Sequence, residues 1–332
     1  MKEANKEPEP TPVERPTDEF ADPLSVEDAA DLTGRIIDNI EHVIVGQHDV
    51  AEHILTTILA RGHLLLEDVP GVGKTMLARS LARSIDCSFK RVQFTPDLLP
   101  SDVTGVNIYN QKTNEFEFQP GPIFGNVVLA DEINRAPPKT QAALLESMEE
   151  EQVTIDGKTH DVPRPFTVVA TQNAIEQDRT YELPVAEIDR FMKKLSLGYP
   201  NPEDESEVLR RVVGEHPIRR LDPVASASDI RRARATVSNV SVKKPVREYV
   251  TRLANYTRDR CQLGVSPRGS ISLLRAAQAR AVLDGREYVI PDDVKVEAEV
   301  VLAHRIRGNS GVMGGEEGRE IVRNALDNVP VE

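Results

Sequence analysis

Pro70-Gly71-Val72-Gly73-Lys74-Thr75 decides how this 332-residue chain is read. Residues 63–67 before it form a short apolar segment with strand character. Residues 75–85 after it carry helical apolar spacing. A glycine-rich turn between a strand and a helix lets backbone N–H groups converge on phosphate oxygens at the positive end of the helix. In that setting Lys74 neutralises the β- and γ-phosphates and Thr75 offers a hydroxyl to magnesium. Pro70, Gly71, Val72, Gly73 and Met76 complete the cradle. The full pattern wants a glycine five residues before Gly73, and Asp68 stands there. Alone, the stretch also fits an ordinary glycine turn ahead of a helix.

A second stretch narrows that choice. Val127-Val128-Leu129-Ala130-Asp131-Glu132 is an apolar strand ending in two carboxylates. Asp131 at the tip can hold magnesium through water, and Glu132 can orient and deprotonate an attacking water. An acidic turn after a strand is common. The same turn downstream of the Lys74 loop, in this order and spacing, points to nucleotide hydrolysis. A third strand, Val168-Val169-Ala170-Thr171-Gln172-Asn173, also ends in polar residues. In a parallel sheet its tip lies beside Asp131, so Asn173 can reach the γ-phosphate or the lytic water. By itself a strand-ending Asn is also ordinary turn chemistry.

Around these motifs, residues 90–95, 126–131, 166–171 and 195–198 read as further strands. Residues 139–150 read as a helix with Pro137 and Pro138 at its start. Nearly continuous apolar strands alternating with helices predict a three-layer α/β domain with a parallel sheet. Ser25 opens a helix through Ile40, and residues 50–60 form another. Two hairpins are predicted as insertions. One joins 106–108 to 115–118 through the polar turn 109–114. The other joins 153–155 to 158–162 through Asp156-Gly157. From Asn201 the texture becomes helical, over 203–213, 227–239, 245–260, 270–283 and 291–305. The chain therefore divides into a disordered Pro/acidic segment (1–22), an α/β domain (23–200), an all-α domain (201–308) and a Gly-rich acidic tail (309–332) with at most one short helix.

Formal net charge is −13, from 54 acidic and 41 basic side chains, which counts against nucleic acid as a general partner. Only 12 of those basic residues are Lys; the bias fits life at high salt, and a GC-rich genome gives the same bias. Cys87 and Cys261 are too few and too far apart for a disulfide framework or a metal motif. His42, His48, His53 and His63 lie near one another in sequence, but not at a shared-face metal spacing. No apolar run approaches the ~20 residues a membrane helix needs, and the first residues have no signal-peptide core. A soluble, cytoplasmic protein is expected.

With these residues in view, the chain resembles the AAA+ ATPases. Four stretches resemble the MoxR family more narrowly: Ile44-Val45-Gly46-Gln47; residues 66–75; residues 93–100; and Asp131-Glu132-Ile133-Asn134-Arg135-Ala136-Pro137-Pro138-Lys139. In that family Asp is usual where Asp68 stands. The resemblance implies that Val45, Gly46 and Gln47 contact adenine and that Asn173 is sensor 1. It implies that Arg190, in Glu187-Ile188-Asp189-Arg190-Phe191, is an arginine finger reaching a neighbouring subunit's nucleotide. Arg268, in Ser266-Pro267-Arg268-Gly269-Ser270, matches sensor 2 at the start of a lid helix. Ala174 departs from the usual Pro after sensor 1. Without the resemblance, Arg190 reads equally as an ion pair with Asp189 or Glu187, and Arg268 as a solvated loop residue.

The resemblance further implies ATP and Mg2+ as cofactors, a homo-oligomer in the form of a hexameric ring, and a protein client. The client is remodelled, matured or loaded with a cofactor, in some cases with a von Willebrand factor A domain partner. Two rivals remain. One is a nucleic-acid motor on the same engine, with Tyr109, Phe116 and Phe118 of the first hairpin as its contact; the same residues could instead touch a protein substrate or pack on the core. The other is a nucleotide-dependent scaffold that does not hydrolyse.

Overall fold

Strands buried on both faces set the centre of the molecule. The computed structural model describes residues 21–173, 181, 183–213, 217–311 and 313–331. The disorder expected for residues 1–22 falls almost wholly outside the described residues, as does Ala174. The chain begins α1 (Val26–Glu41), α2 (His48–Leu59), β1 (Leu64–Asp68), α3 (Lys74–Ser84), β2 (Phe89–Gln93), α4 (Pro100–Thr104), β3 (Gly105–Asn110) and β4 (Glu115–Pro120). It continues β5 (Val127–Asp131), α5 (Pro138–Glu150), β6 (Gln152–Ile155), β7 (Lys158–Asp161), β8 (Thr167–Asn173), α6 (Val185–Ile188) and β9 (Lys193–Leu195). Helices follow: α7 (Pro202–Val212), α8 (Ala227–Asn239), α9 (Lys244–Arg258), α10 (Pro267–Leu283), α11 (Pro291–Leu302) and α12 (Gly315–Asn328).

Five strands form one parallel sheet in the order β2-β5-β8-β1-β9. Side chains alternate across it. Leu64, Leu66, Val127, Leu129 and Val169 face a core shared with α1, α2 and α3. Leu65, Val128, Ala130, Val168 and Ala170 face a second core with Leu144, Leu145 and Met148 of α5. Both faces are covered over the central strands β1, β5 and β8, which read as nearly unbroken apolar runs, while edge strand β2 keeps Lys90, Arg91 and Gln93 exposed. The expected three-layer α/β class, with a helical region after it, is what the chain forms.

Two expectations need correction. The last strand is not 195–198. The pairing stops at Leu195, because Asp68 draws the next residues out of the sheet. Its carboxylate accepts from Ser196 Oγ (2.7 Å), Leu197 N (2.8 Å) and Gly198 N (3.0 Å). Residues 309–332 are also not simply a tail. The short helix there, α12, docks on α9 and α11, with Val322 and Ala325 buried. One apolar core runs from α1 and α2 through the sheet face into α8–α12.

The seam between sheet and helical region also holds buried charge. Lys193 Nζ meets Glu297 Oε2 at 2.5 Å, both fully buried, and Arg280 Nη2 reaches Glu297 Oε1 at 3.2 Å. Burial would raise the Glu297 carboxyl, but Lys193, His53 and Arg280 hold it down at about 2. These pairs tie β9 to α10 and α11.

Both hairpins form. Asp156 and Gly157 take φ values of +48° and +79°, the left-handed pair that a two-residue turn demands. Phe118 stacks on His160 at 4.1 Å and joins the two hairpins, while Tyr109 and Phe116 remain 48% and 69% exposed. The aromatic trio is thus split between packing and an outward face.

Among the described residues, the histidines are structural or superficial. His48 pairs with Glu41 at 3.0 Å on the surface. Buried His63 is neutral: Nδ1 accepts from Val168 N (3.0 Å) and Nε2 donates to Met148 O (3.0 Å). Burial lowers its pKa from 6.5 to about 4, and burial with the nearby Arg305 lowers His304 well below 6.5. A group depressed in the fold stabilises it above the unfolded pKa and loses that contribution as pH falls. Stability should therefore drop by about 1.4 kcal/mol per pH unit per histidine below the unfolded value, for His63 down to its folded pKa. Urea unfolding between pH 7.5 and 4.5 measures this slope. His63→Gln should flatten it by one proton's share, and an unchanged slope would count against the assignment.

Candidate nucleotide site

The loop before α3 is shaped to face phosphate. Gly71 and Gly73 sit at φ +88° and +96°, where any side chain is strained, and the space a Cβ would fill above each is open. Gly73 is the N-cap of α3, so the helix's unpaired N–H groups point into that space. Lys74 Nζ lies over the loop and donates to the carbonyls of Asp68 (3.1 Å) and Val69 (3.2 Å). The residue that breaks the glycine pattern, Asp68, does separate work: it is buried and fastens β1 to the 196–198 segment.

Across from the loop, the tips of β2, β5 and β8 stand side by side. A cleft of ≈ 330 Å³ is lined by Pro70, Gly71, Gly73, Lys74, Thr75 and Met76 on one side. Arg91, Asp131, Glu132, Thr171 and Asn173 line the other. Asp131 Oδ1 accepts from Thr171 Oγ1 (2.7 Å), and that hydroxyl accepts from Glu132 N (2.8 Å). Thr171 therefore fixes both acidic residues to the neighbouring strand. Glu132 takes a left-handed backbone, φ +57° and ψ +50°, at a cost of about 1–2 kcal/mol for a residue with a Cβ. Such local strain is characteristic of functional turns. The turn is held by Gln141, whose Nε2 donates to Ile133 O and Ala136 O, each at 3.1 Å. Glu132 Oε2 accepts from Gln93 Nε2 (2.7 Å) and Arg135 Nη1 (2.8 Å).

The residues fit magnesium–ATP. A hydroxyl at Thr75 and a carboxylate at Asp131 line the same cleft, and hard oxygen donors in this small number suit Mg2+, which keeps waters and phosphate oxygens as its other ligands. No cluster of three or more His, Cys, Asp or Glu suited to a metal occurs among the described residues, so an all-protein metal cage is not the pattern. Arg91 Nη2 reaches Asp131 Oδ2 at 2.6 Å and supplies the positive charge now beside it.

A second, more apolar cavity of ≈ 180 Å³ adjoins the first and shares Gly71, Gly73 and Met76 with it. Val45, Gln47 and Val72 line it, with Val208 and Val212 of α7 opposite. Gly46 does not line it. At φ +71° its Cα faces Asp204, whose carboxylate stands 2.0 Å from where a Cβ would be, so Gly46 lets α7 approach. Together the two cavities offer an apolar end and a polar, cationic end.

Arg190 and Arg268 lie elsewhere. Neither lines these cavities, and both turn to Glu149 at the end of α5. Arg190 Nη2 is 3.4 Å from Glu149 Oε2, and Arg268 Nη2 donates to Glu149 Oε1. Of the two pairs expected as the alternative for Arg190, Asp189 instead turns to Arg305 and Ser266, while Glu187 feels the Arg190 charge, which lowers its pKa against the rise from burial. Sequence reasoning did not single out Arg91, Gln93, Thr171 or Glu149. Thr171 and Gln93 were at least visible as polar residues ending apolar strands.

Comparison with known proteins agrees with this geometry. The family described as "ATPase family associated with various cellular activities (AAA)" matches residues 63–193, and an AAA lid domain matches residues 253–325. The chain is 52% identical to the uncharacterized protein YeaC of Bacillus subtilis, covering 92% of this chain and 96% of that protein. It is 42% identical to chaperone MoxR1 of Mycobacterium tuberculosis, covering 88% and 80%. A solved protein of Cytophaga hutchinsonii, provisionally assigned as an ATPase, superposes with a TM-score of 0.85 at 38% identity, covering 93% and 97%. On these grounds the chain belongs to the MoxR family of AAA+ ATPases.

Proposed function

We propose that this protein hydrolyses ATP in a homo-oligomeric, hexameric ring and uses the cycle to remodel or mature a client protein, including by cofactor insertion. In this reading Val45 and Gln47 contact adenine with Gly46 shaping their turn, and the 70–76 loop cradles the phosphates. Lys74 neutralises the β- and γ-phosphates. Bound magnesium, held by Thr75 and through water by Asp131, would offset phosphate charge. Glu132 takes the proton of the attacking water, and Asn173 orients that water or the γ-phosphate. Arg190 and Arg268 complete the site of a neighbouring copy.

The observation that carries this reading is the separation of parts. One cleft gathers the phosphate loop, both carboxylates and Asn173, while the two candidate arginines point away from it toward Glu149. A site so divided is completed by a second copy. The client would meet the exposed Tyr109 and Phe116, and a von Willebrand factor A domain protein is the partner class we favour. The compartment we favour is the cytoplasm, where ATP is abundant. No helix of the described residues is long and apolar enough to cross a membrane.

Purified protein should release phosphate from ATP only with magnesium, and should grow from monomer to ring by light scattering when ATP and magnesium are added. Low and molar salt are both needed, because an acidic surface can require screening before copies associate. A monomer in saturating ATP at both salts would remove the ring. A nucleic-acid motor is disfavoured by the hairpins themselves: residues 105–120 carry Glu115 and Glu117 against Lys112, and residues 152–161 carry Asp156 and Asp161 against Lys158. Salt-sensitive DNA binding would revive it.

A further inference from the structure

Asp189, next to Arg190, spends its carboxylate on the helical region instead of on its neighbour. Its Oδ1 accepts from Arg305 Nε at 2.8 Å, and its Oδ2 accepts from Ser266 Oγ at 3.0 Å. Ser266 is the N-cap of α10 and accepts from Gly269 N at 3.1 Å, so the bond reaches the turn that carries Arg268. Arg305 is itself buried. Its Nη2 donates to the carbonyls of Asp189 (3.1 Å) and Phe191 (2.7 Å), the two residues flanking Arg190. Gly269 leaves the room this needs: a Cβ there would lie 2.9 Å from Arg305 Cδ. Two backbone segments far apart in sequence are thereby fixed to each other, and the arginine heads they carry meet at one carboxylate, Glu149.

We propose that Asp189 is a positioning residue: it fastens Arg190 to the start of α10, so that Arg190 and Arg268 move as one two-arginine fork. Glu149 closes the fork in the free subunit. The ligand exchanged for Glu149 on assembly is the terminal phosphate of ATP held by a neighbouring copy. The inference rests on the reading of Arg190 as acting in trans. The physical reason is placement. A cation stabilises a transferring phosphoryl group only when held in register, and an error near 1 Å can cost about 10²-fold in rate. A half-buried arginine in the turn just after a four-residue helix has no such precision unless something braces it.

Two variants test this. Asp189→Ala should lower kcat about ten- to a hundredfold with KM for ATP unchanged, because the cleft that binds ATP contains none of these residues. That variant strands a buried guanidinium and can fail to fold. Ser266→Ala keeps the Asp189–Arg305 pair and removes the link to α10 together with the cap on Gly269 N, so it decides the question if the first variant does not melt cooperatively. Its expected loss is several-fold, again in kcat. The decisive readout is mixing with Glu132→Gln subunits, whose fork is intact. Activity lost through the fork should partly return in mixed rings, as it should for Arg190→Ala. A purely structural defect would not return. Wild-type turnover in the folded variants, or loss without recovery while Arg190→Ala does recover, overturns the role of Asp189. No recovery for Arg190→Ala overturns the trans reading, and the role of Asp189 with it.

Discussion

Glu132→Gln should bind magnesium–ATP as tightly as the parent and hydrolyse it at least about 10²-fold more slowly. The substitution preserves shape. A Gln side chain still accepts from Gln93 and Arg135, and the left-handed turn is set by Thr171 and Gln141, which it does not touch. Lys74, Thr75 and Asp131 also remain in the cleft, so the proposed phosphate and metal ligands stay in place. Only the capacity to take a proton is lost. Lys74→Ala should show the complementary defect, a loss of ATP binding, because the loop's positive side chain is gone. Equilibrium binding of a fluorescent ATP analogue separates the two variants, and phosphate release measures turnover. Near parental hydrolysis by the Gln variant would remove Glu132 as the base.

The Lys74 loop and the Asp131-Glu132 strand tip were legible because their information is local. A strand, a turn and a helix start lie within about a dozen residues, and strands covered on both faces must be apolar throughout. The last strand was misplaced for the opposite reason. Lys193 and Lys194 look like surface residues, yet Lys193 is buried by Glu297, more than a hundred positions later, while Lys194 pairs with Glu67. The apolar residues just beyond are pulled away by Asp68, whose role as an anchor is invisible until 68 and 196–198 meet in space. Glu149 was hidden in the run Glu149-Glu150-Glu151, which reads as a solvated helix end. Nothing in that run says that two arginines from other elements converge on its first member. Long-range ion pairs leave no periodicity behind, so the halves of the site built from them are read only in three dimensions.

Arg190→Ala alone should lower turnover by roughly 10³-fold while leaving ATP binding intact, since the side chain lies outside its own subunit's cleft. On the proposed roles, the variant has a working base and no finger. Glu132→Gln has a working finger and no base. Mixed in one ring, an interface that pairs the site of the first with the Arg190 of the second is complete, and hydrolysis should partly return. A gap of this size makes even a small fraction of repaired interfaces visible above background. Tagged subunits must first be shown to exchange, by pull-down of one variant with the other. The Arg190–Glu149 pair alone predicts no recovery: such a partly exposed contact is worth about 1 kcal/mol or less, and its loss in one subunit is not restored by another. A role in cis predicts none either, because the variant's own site would stay incomplete whatever stands beside it. Confirmed exchange without recovery would leave Arg268 as the remaining arginine to complete the site.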